Sequence, residues 1–206
     1  MSFWHALITE KSWRHLQELR RHFSFVLIGG WAVYLYTRSL KSKDIDIVVD
    51  YAALNALRQR YPLVKNDRLK KYEIRLEEVD VDIYVPHFSN PGIPAEAVLE
   101  HAVEHEGFRL PPLEELLLMK ENARRQRQGS AKGEKDGLDL LSLIATGEID
   151  WPRCWALAQR HSPDFPKRLK RFLQSAQEAK PLGLDRHRMS RLKRQWLSHF
   201  PSQPSI

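Results

Sequence analysis

A chain of 206 residues holds one domain, or one domain with a small appendage. Its 42% apolar content excludes wholesale disorder, and its single cysteine, Cys154, excludes both an intramolecular disulfide framework and a cysteine-rich zinc site. The formal charge of +7 points to an anionic partner for at least part of the surface.

Near the start, Trp13, Leu16, Leu19 and Phe23 recur at helical spacing, with Thr9 or Ser12 as the expected N-cap. The apolar run 25–28 suits a buried strand, and a helix over 31–38 follows from the Gly29-Gly30 pair. The next strand is 45–49, with Asp44 and Asp46 on one side of its pleat. A helix over 51–60 is closed by Pro62. Two further strands are expected over 72–76 and 78–85, the second carrying Asp80 and Asp82 in alternation with Val79, Val81 and Ile83. The loop 86–94 leads into a helix over 95–106, with Pro94 suited to its start. Pro111-Pro112 precedes a strong helix over 113–126. A polar, glycine-bearing connection over 128–135, whose stretch 130–133 suits a mobile loop, precedes a helix over 136–145.

From residue 151 onward the pattern is helical, interrupted by Pro163, Pro166 and Pro181. This last quarter holds 12 Lys and Arg against 3 Asp and Glu, whereas the first 150 residues hold 21 bases and 23 acids. The basicity therefore belongs to the end of the chain. Either a polyanion-binding tail or a solvated basic helical face accounts for it. Early strands alternating with helices, then helices alone, indicate an α/β or α+β front and an all-helical back. The longest apolar runs are too short to span a bilayer, and Met1-Ser2-Phe3-Trp4-His5 lacks a signal-peptide pattern, so no membrane partner and a cytoplasmic location are expected.

Asp44 and Asp46, two apart on a strand, project together with Cα atoms about 7 Å apart. Paired carboxylates repel one another, and a hard cation such as Mg²⁺ or Mn²⁺ relieves the cost. The same alternation also suits the wet face of an amphipathic strand. A strand, a glycine pair and a helix together expose N–H groups at a helix start, where phosphate binds. Lys120 continues the apolar stripe Leu113, Leu116, Leu117, so it faces inward toward a partner or cleft, or else snorkels along the core. Asp136 and Asp139 share a helix face, where they could also complement the helix dipole. The string His101-x-x-Glu104-His105 matches a zinc-peptidase motif but also reads as a wet helical face, and Cys154 reads as core.

Leu27-Ile28-Gly29-Gly30 with Asp44-Ile45-Asp46 resembles the signature of the DNA polymerase β-like nucleotidyltransferase superfamily. More closely, residues 25–143 resemble the small nucleotidyltransferases related to abortive-infection and toxin–antitoxin enzymes. The resemblance implies an α+β fold, with a mixed sheet flanked by helices and a helical C-terminal region. It implies a catalytic domain over 1–112 and a helical region over 113–206 that completes the active site and carries the basic tail. Asp44, Asp46 and Asp82 are then the Mg²⁺ or Mn²⁺ ligands, with Asp82 favoured over Asp80 as third carboxylate and proton acceptor. Gly29, Gly30, Ser42 and Lys43 are expected at the triphosphate. Relatives carry Arg and Thr or Ser four and two residues before the first aspartate; here those positions are Leu40 and Ser42.

The block Leu118-Met119-Lys120…Arg124…Ser130-Ala131-Lys132-Gly133-Glu134-Lys135-Asp136…Asp139 is similar to the second motif block of the toxin-like enzymes. It makes Lys120 and Asp136 active-site residues, with Lys132, Lys135 and Asp139 as second choices. The implied activity moves NMP from an NTP to a hydroxyl of RNA, especially tRNA, in a toxin-type enzyme with an antitoxin partner. Alternative acceptors are a protein hydroxyl or a small molecule. An alternative of another class is a non-catalytic nucleic-acid-binding or regulatory module on a degenerate transferase fold.

Overall fold

A computed structural model describes residues 3–200. The first helix, α1 (Phe3–His22), leads into β1 (Val26–Ile28), which runs directly into α2 (Gly29–Thr37). After β2 (Ile45–Val48) and α3 (Tyr51–Arg60) come β3 (Val64–Asn66), β4 (Lys71–Leu76) and β5 (Val79–Tyr84). Helix α4 (Ala95–His101) precedes β6 (Val103–His105) and β7 (Phe108–Leu110). The remainder is helical: α5 (Leu113–Gln126), α6 (Ala131–Ala145), α7 (Trp151–His161), α8 (Phe165–Ser175) and α9 (Arg186–Leu197).

The seven strands form one mixed sheet in the order β3-β4-β5-β2-β1-β7-β6. At its centre, β2 pairs parallel with β5 and antiparallel with β1. Ile45 and Ile47 of β2 and Val81 and Ile83 of β5 are fully buried on one face. By the two-residue period of a strand, Asp46 and Asp82 share the opposite face. Helix α5 is buried on every side from Leu113 to Glu121, because it lies among α2, α6, α7 and α8. One continuous core joins the sheet to these helices.

Helices α3 and α5 occupy the expected residues because their ends are chemically marked. Asp50 caps α3 by accepting from the Ala53 N–H at 2.7 Å, and Pro112 stands at the N-cap of α5. Three expectations are corrected, and one strand, β3, was not anticipated. Helix α1 begins before Thr9 and Ser12, which lie inside it; Ser12 Oγ instead accepts a hydrogen bond from the buried Trp31 indole at 2.8 Å. The helix expected over 95–106 ends at His101. There Ala102 turns extended, and Glu106 and Gly107, with φ of 50° and 73°, form the two-residue turn of the β6–β7 hairpin. Strand β3 is a short, largely exposed edge strand, with no buried face to imprint a period. Finally, the connection expected over 128–135, with a mobile loop at 130–133, is helical from Ala131 onward. Ser130 caps α6 by accepting from the Gly133 N–H at 3.1 Å.

Candidate active site

Helix α2 starts at Gly29 with no side chain capping it, so its leading N–H groups remain available to an anion. Gly29 has φ +68°, and a Cβ there would lie 2.1 Å from Asp46 Oδ2. The glycine therefore lets the helix start rest directly against the Asp46 carboxylate. A Cβ on Gly30 would lie 2.7 Å from Ser42 Oγ and 3.1 Å from Lys135 Nζ. Ser42 is accordingly buried beside the glycine pair, while Lys43 is exposed and makes no ion pair among the described residues.

Asp46 and Asp82 are direct partners across the parallel β2–β5 pair. Burial, then the charge of Asp82, pushes the Asp46 carboxyl up to about 6. Asp82 is also raised by burial, against the pull of Lys71, whose ammonium lies 2.6 Å from its Oδ2. Asp44 stands just before β2 and accepts from Lys132 at 3.0 Å. Asp80 lies one alternation earlier in β5, exposed and 3.8 Å from Arg75, away from this group.

The helical half supplies cations. Lys120 Nζ is buried, 2.7 Å from Asp139 and 3.1 Å from Asp136. Burial alone would lower its pKa, but the two aspartates outweigh it and raise it; Lys120 is thus an ammonium held in place. Lys135 also reaches Asp139 at 3.2 Å, and Arg127 reaches Asp136 at 3.4 Å.

Between the two halves lies a cleft of about 330 Å³, lined by Gly29, Asp46, Lys71, Tyr84, Lys120, Arg127 and Asp136. That volume is in the range of small-molecule sites. Sequence reasoning missed Lys71, Tyr84 and Arg127. The charges Lys71, Glu73 and Arg75 alternate along β4, and this period placed them on the Asp80–Asp82 face. Arg127, the C-cap residue of α5, stands seven residues after Lys120, so helical spacing from that inward lysine was the signal for it.

No group of three or more His, Cys, Asp or Glu among the described residues is arranged to hold a metal ion by itself. The donor set nevertheless fits Mg²⁺ or Mn²⁺: it is oxygen-only, and its innermost member, Asp46, has neither hydrogen bond nor ion pair among the described residues. Mg²⁺ commonly binds through one or two carboxylates and completes its shell with water and phosphate oxygens. The His101-x-x-Glu104-His105 string is dispersed, with His101 on α4 bonded to Glu115 at 2.6 Å and His105 on β6 facing the Leu35 carbonyl. Cys154 is buried. Among the described residues no helix is long and apolar enough to cross a membrane.

No protein-family model and no curated protein matches the chain. Among solved structures, a protein provisionally described as a nucleotidyltransferase from H. pylori is 18% identical, with a TM-score of 0.52, covering 98% of this chain and 100% of that one. An antigenic nucleotidyltransferase-like protein from Paracoccidioides brasiliensis is 19% identical, with a TM-score of 0.41, covering 79% and 92%. JHP933 from Helicobacter pylori is 20% identical, with a TM-score of 0.42, covering 84% and 76%. Of these three, the first superposes well enough to establish the fold. The chain shares the α+β fold of that nucleotidyltransferase-like structure, with a mixed sheet flanked by helices and a helical C-terminal region.

Proposed function

We propose that this chain is a metal-dependent nucleotidyltransferase that moves NMP from an NTP to a hydroxyl of RNA. One observation carries the reading: Asp46 and Asp82 sit side by side beneath the uncapped helix start at Gly29, in a cleft shared with Lys120 and Arg127. Asp44, Asp46 and Asp82 would hold Mg²⁺ or Mn²⁺, which when bound offsets charge on the phosphates and favours the attacking oxygen.

The rest of the chemistry belongs to the chain. The α2 N–H groups and Ser42 hold triphosphate oxygens, and Lys120 and Arg127 oppose the charge that gathers on the leaving group. Asp136 and Asp139 keep Lys120 charged and oriented. The acceptor oxygen bonds to the α-phosphorus, the bond to the bridging oxygen breaks, and pyrophosphate departs. Asp82 accepts the hydroxyl proton.

An RNA acceptor, with tRNA the first candidate, is supported by the +9 charge after residue 150. Not all of that charge is free. Arg168 is held by Glu121 at 2.8 and 2.9 Å, and Lys193 donates to the Gln174 and Ala176 carbonyls. Arg188, Arg191 and Arg194 are exposed along α9; Arg188 commits one donor to the Gly183 carbonyl at 3.3 Å, and its other donors, with Arg191 and Arg194, remain for a polyanion. The test incubates the protein with Mg²⁺, each labelled NTP and total tRNA. Label should enter RNA with wild type and fail with Asp46→Ala; incorporation that is absent, or unchanged by the substitution, defeats the mechanism. A toxin-type role with an antitoxin partner belongs to this reading through the 118–139 resemblance. Induced expression should then arrest growth with wild type and not with Asp46→Ala.

A further inference from the structure

In-line displacement puts the attacking hydroxyl and the departing pyrophosphate on opposite sides of the α-phosphorus. With the triphosphate at Gly29 and the hydroxyl proton passing to Asp82, the acceptor enters on the side of β5 away from β2. The sheet order puts β4 and then β3 on that side. By the β4–β5 register, Lys71 and Glu73 share the face of Asp82 and Tyr84. The turn joining β3 to β4 stands at the rim of the cleft, since Leu69 and Lys71 both line it.

This hairpin is a basic island in the slightly acidic first 150 residues: 64–75 hold five Lys and Arg against two Asp and Glu. Lys71 is committed to Asp82 at 2.6 Å, and Arg75 lies 3.8 Å from Asp80. Lys65 pairs with Asp67 at 2.8 Å, an exposed pair of small worth. Arg68 and Lys70 are exposed and make no ion pair among the described residues. Lys65 and Lys70 both hold their ammonium groups over the Phe88 ring, 4.8 and 5.2 Å from its centroid. The turn is fixed to the loop that carries Phe88. Buried Ser89 Oγ donates to the Lys70 carbonyl at 2.6 Å and accepts from the Val85 N–H at 3.0 Å. Asn66 Oδ1 accepts from the Leu69 N–H at 3.0 Å. The backbone thus holds these cations at the rim before a ligand arrives, which lowers the ordering cost of binding.

We infer that Lys65, Arg68 and Lys70 hold the phosphate backbone of the acceptor RNA beside its reacting hydroxyl, which rests on the RNA-acceptor reading above. None of the three lines the cleft itself, so they border what enters it rather than the nucleotide inside. Attraction between cations and a phosphate backbone acts through charge near the strand and needs no single side-chain rotamer. A polymer with one phosphate per residue is therefore the ligand that three neighbouring cations on a fixed turn suit. The α9 arginines then serve a second stretch of the same RNA.

The test measures binding of labelled tRNA, and of a hairpin carrying only its acceptor arm, across a range of salt. Lys65→Gln, Arg68→Gln and Lys70→Gln together should lower affinity for both RNAs by about tenfold or more. The slope of log K against log salt should flatten by about 2. Binding of a non-hydrolysable NTP with Mg²⁺, measured by calorimetry, should stay within about twofold. The charge-conserving set Lys65→Arg, Arg68→Lys and Lys70→Arg should bind RNA within about threefold of wild type, which separates charge from damage to the turn. Four outcomes overturn the assignment and leave nucleotidyl transfer standing: unchanged RNA affinity, a loss with whole tRNA but not with the hairpin, an equal fall in NTP binding, or an equal loss in the charge-conserving set. Wild type that binds neither RNA overturns the RNA acceptor as well.

Discussion

Asp46 and Asp82 face each other across two parallel strands, and Gly29 closes over Asp46 so tightly that even a methyl group there would overlap its carboxylate. Like charges are thus held together at the start of a helix whose N–H groups favour anions. Such an arrangement is costly for the empty protein and useful for one that takes up cations with a polyphosphate.

Asp46 should limit the stability of the metal-free protein. Its carboxyl ionises near 6 in the fold and about 4 when unfolded. The folded state therefore holds a proton across that interval after the unfolded state has lost it. Its stabilising contribution is complete below about pH 4 and is lost as pH rises through 6. Asp46→Asn should raise the Tm of the metal-free protein at pH 8 by roughly 2–4 °C, equivalent to about 1 kcal/mol, with little change at pH 4. Thermal scans across pH, without metal, measure this.

Gly29→Ala should damage the site beyond its backbone cost. Gly129 also has positive φ, +80°, but a Cβ there meets nothing within 4 Å. Gly129→Ala should therefore lose only the left-handed penalty, about 1 kcal/mol. Gly29→Ala should lose more, because Asp46 must move, and its metal-dependent NTP binding should fall at least tenfold. Denaturant unfolding and calorimetry compare the two.

Removing Lys120 leaves Asp139, with no exposed side-chain surface, and Asp136, with 4%, short of their central cation. Lys120→Ala should cost about 3–5 kcal/mol. Lys120→Met with Asp136→Asn and Asp139→Asn should recover much of that stability and none of the transfer activity. Urea midpoints with activity assays on both variants separate the structural role from the chemical one.

The α9 arginines should set the salt dependence of RNA binding. Changing Arg188, Arg191 and Arg194 to Gln should flatten the slope of log K against log salt by about 2, as each lost phosphate contact removes roughly 0.7–0.9. Affinity measured from 50 to 300 mM salt tests this. An unchanged slope would make these residues a solvated surface.

Much of the sheet was legible because its signals are local. The apolar run before Gly29-Gly30, the alternation through Asp44 and Asp46, and the capped helices α3 and α5 each follow from neighbouring side chains. The β6–β7 hairpin was hidden because 95–106 has a helix-compatible composition, and two positive-φ residues, Glu106 and Gly107, reverse the chain.

By itself, then, the sequence determined the inventory: a glycine pair, acids at strand spacing, an inward lysine and a basic end. The tertiary structure decided which of these meet. It put Asp82 rather than Asp80 beside Asp46, because the β2–β5 register pairs that residue and leaves the other at the exposed side. It also brought Lys71 and Arg127 to the cleft and committed Arg168 and Lys193 to structural bonds. Register and helix docking join residues far apart in the chain, and no local periodicity encodes such a distance.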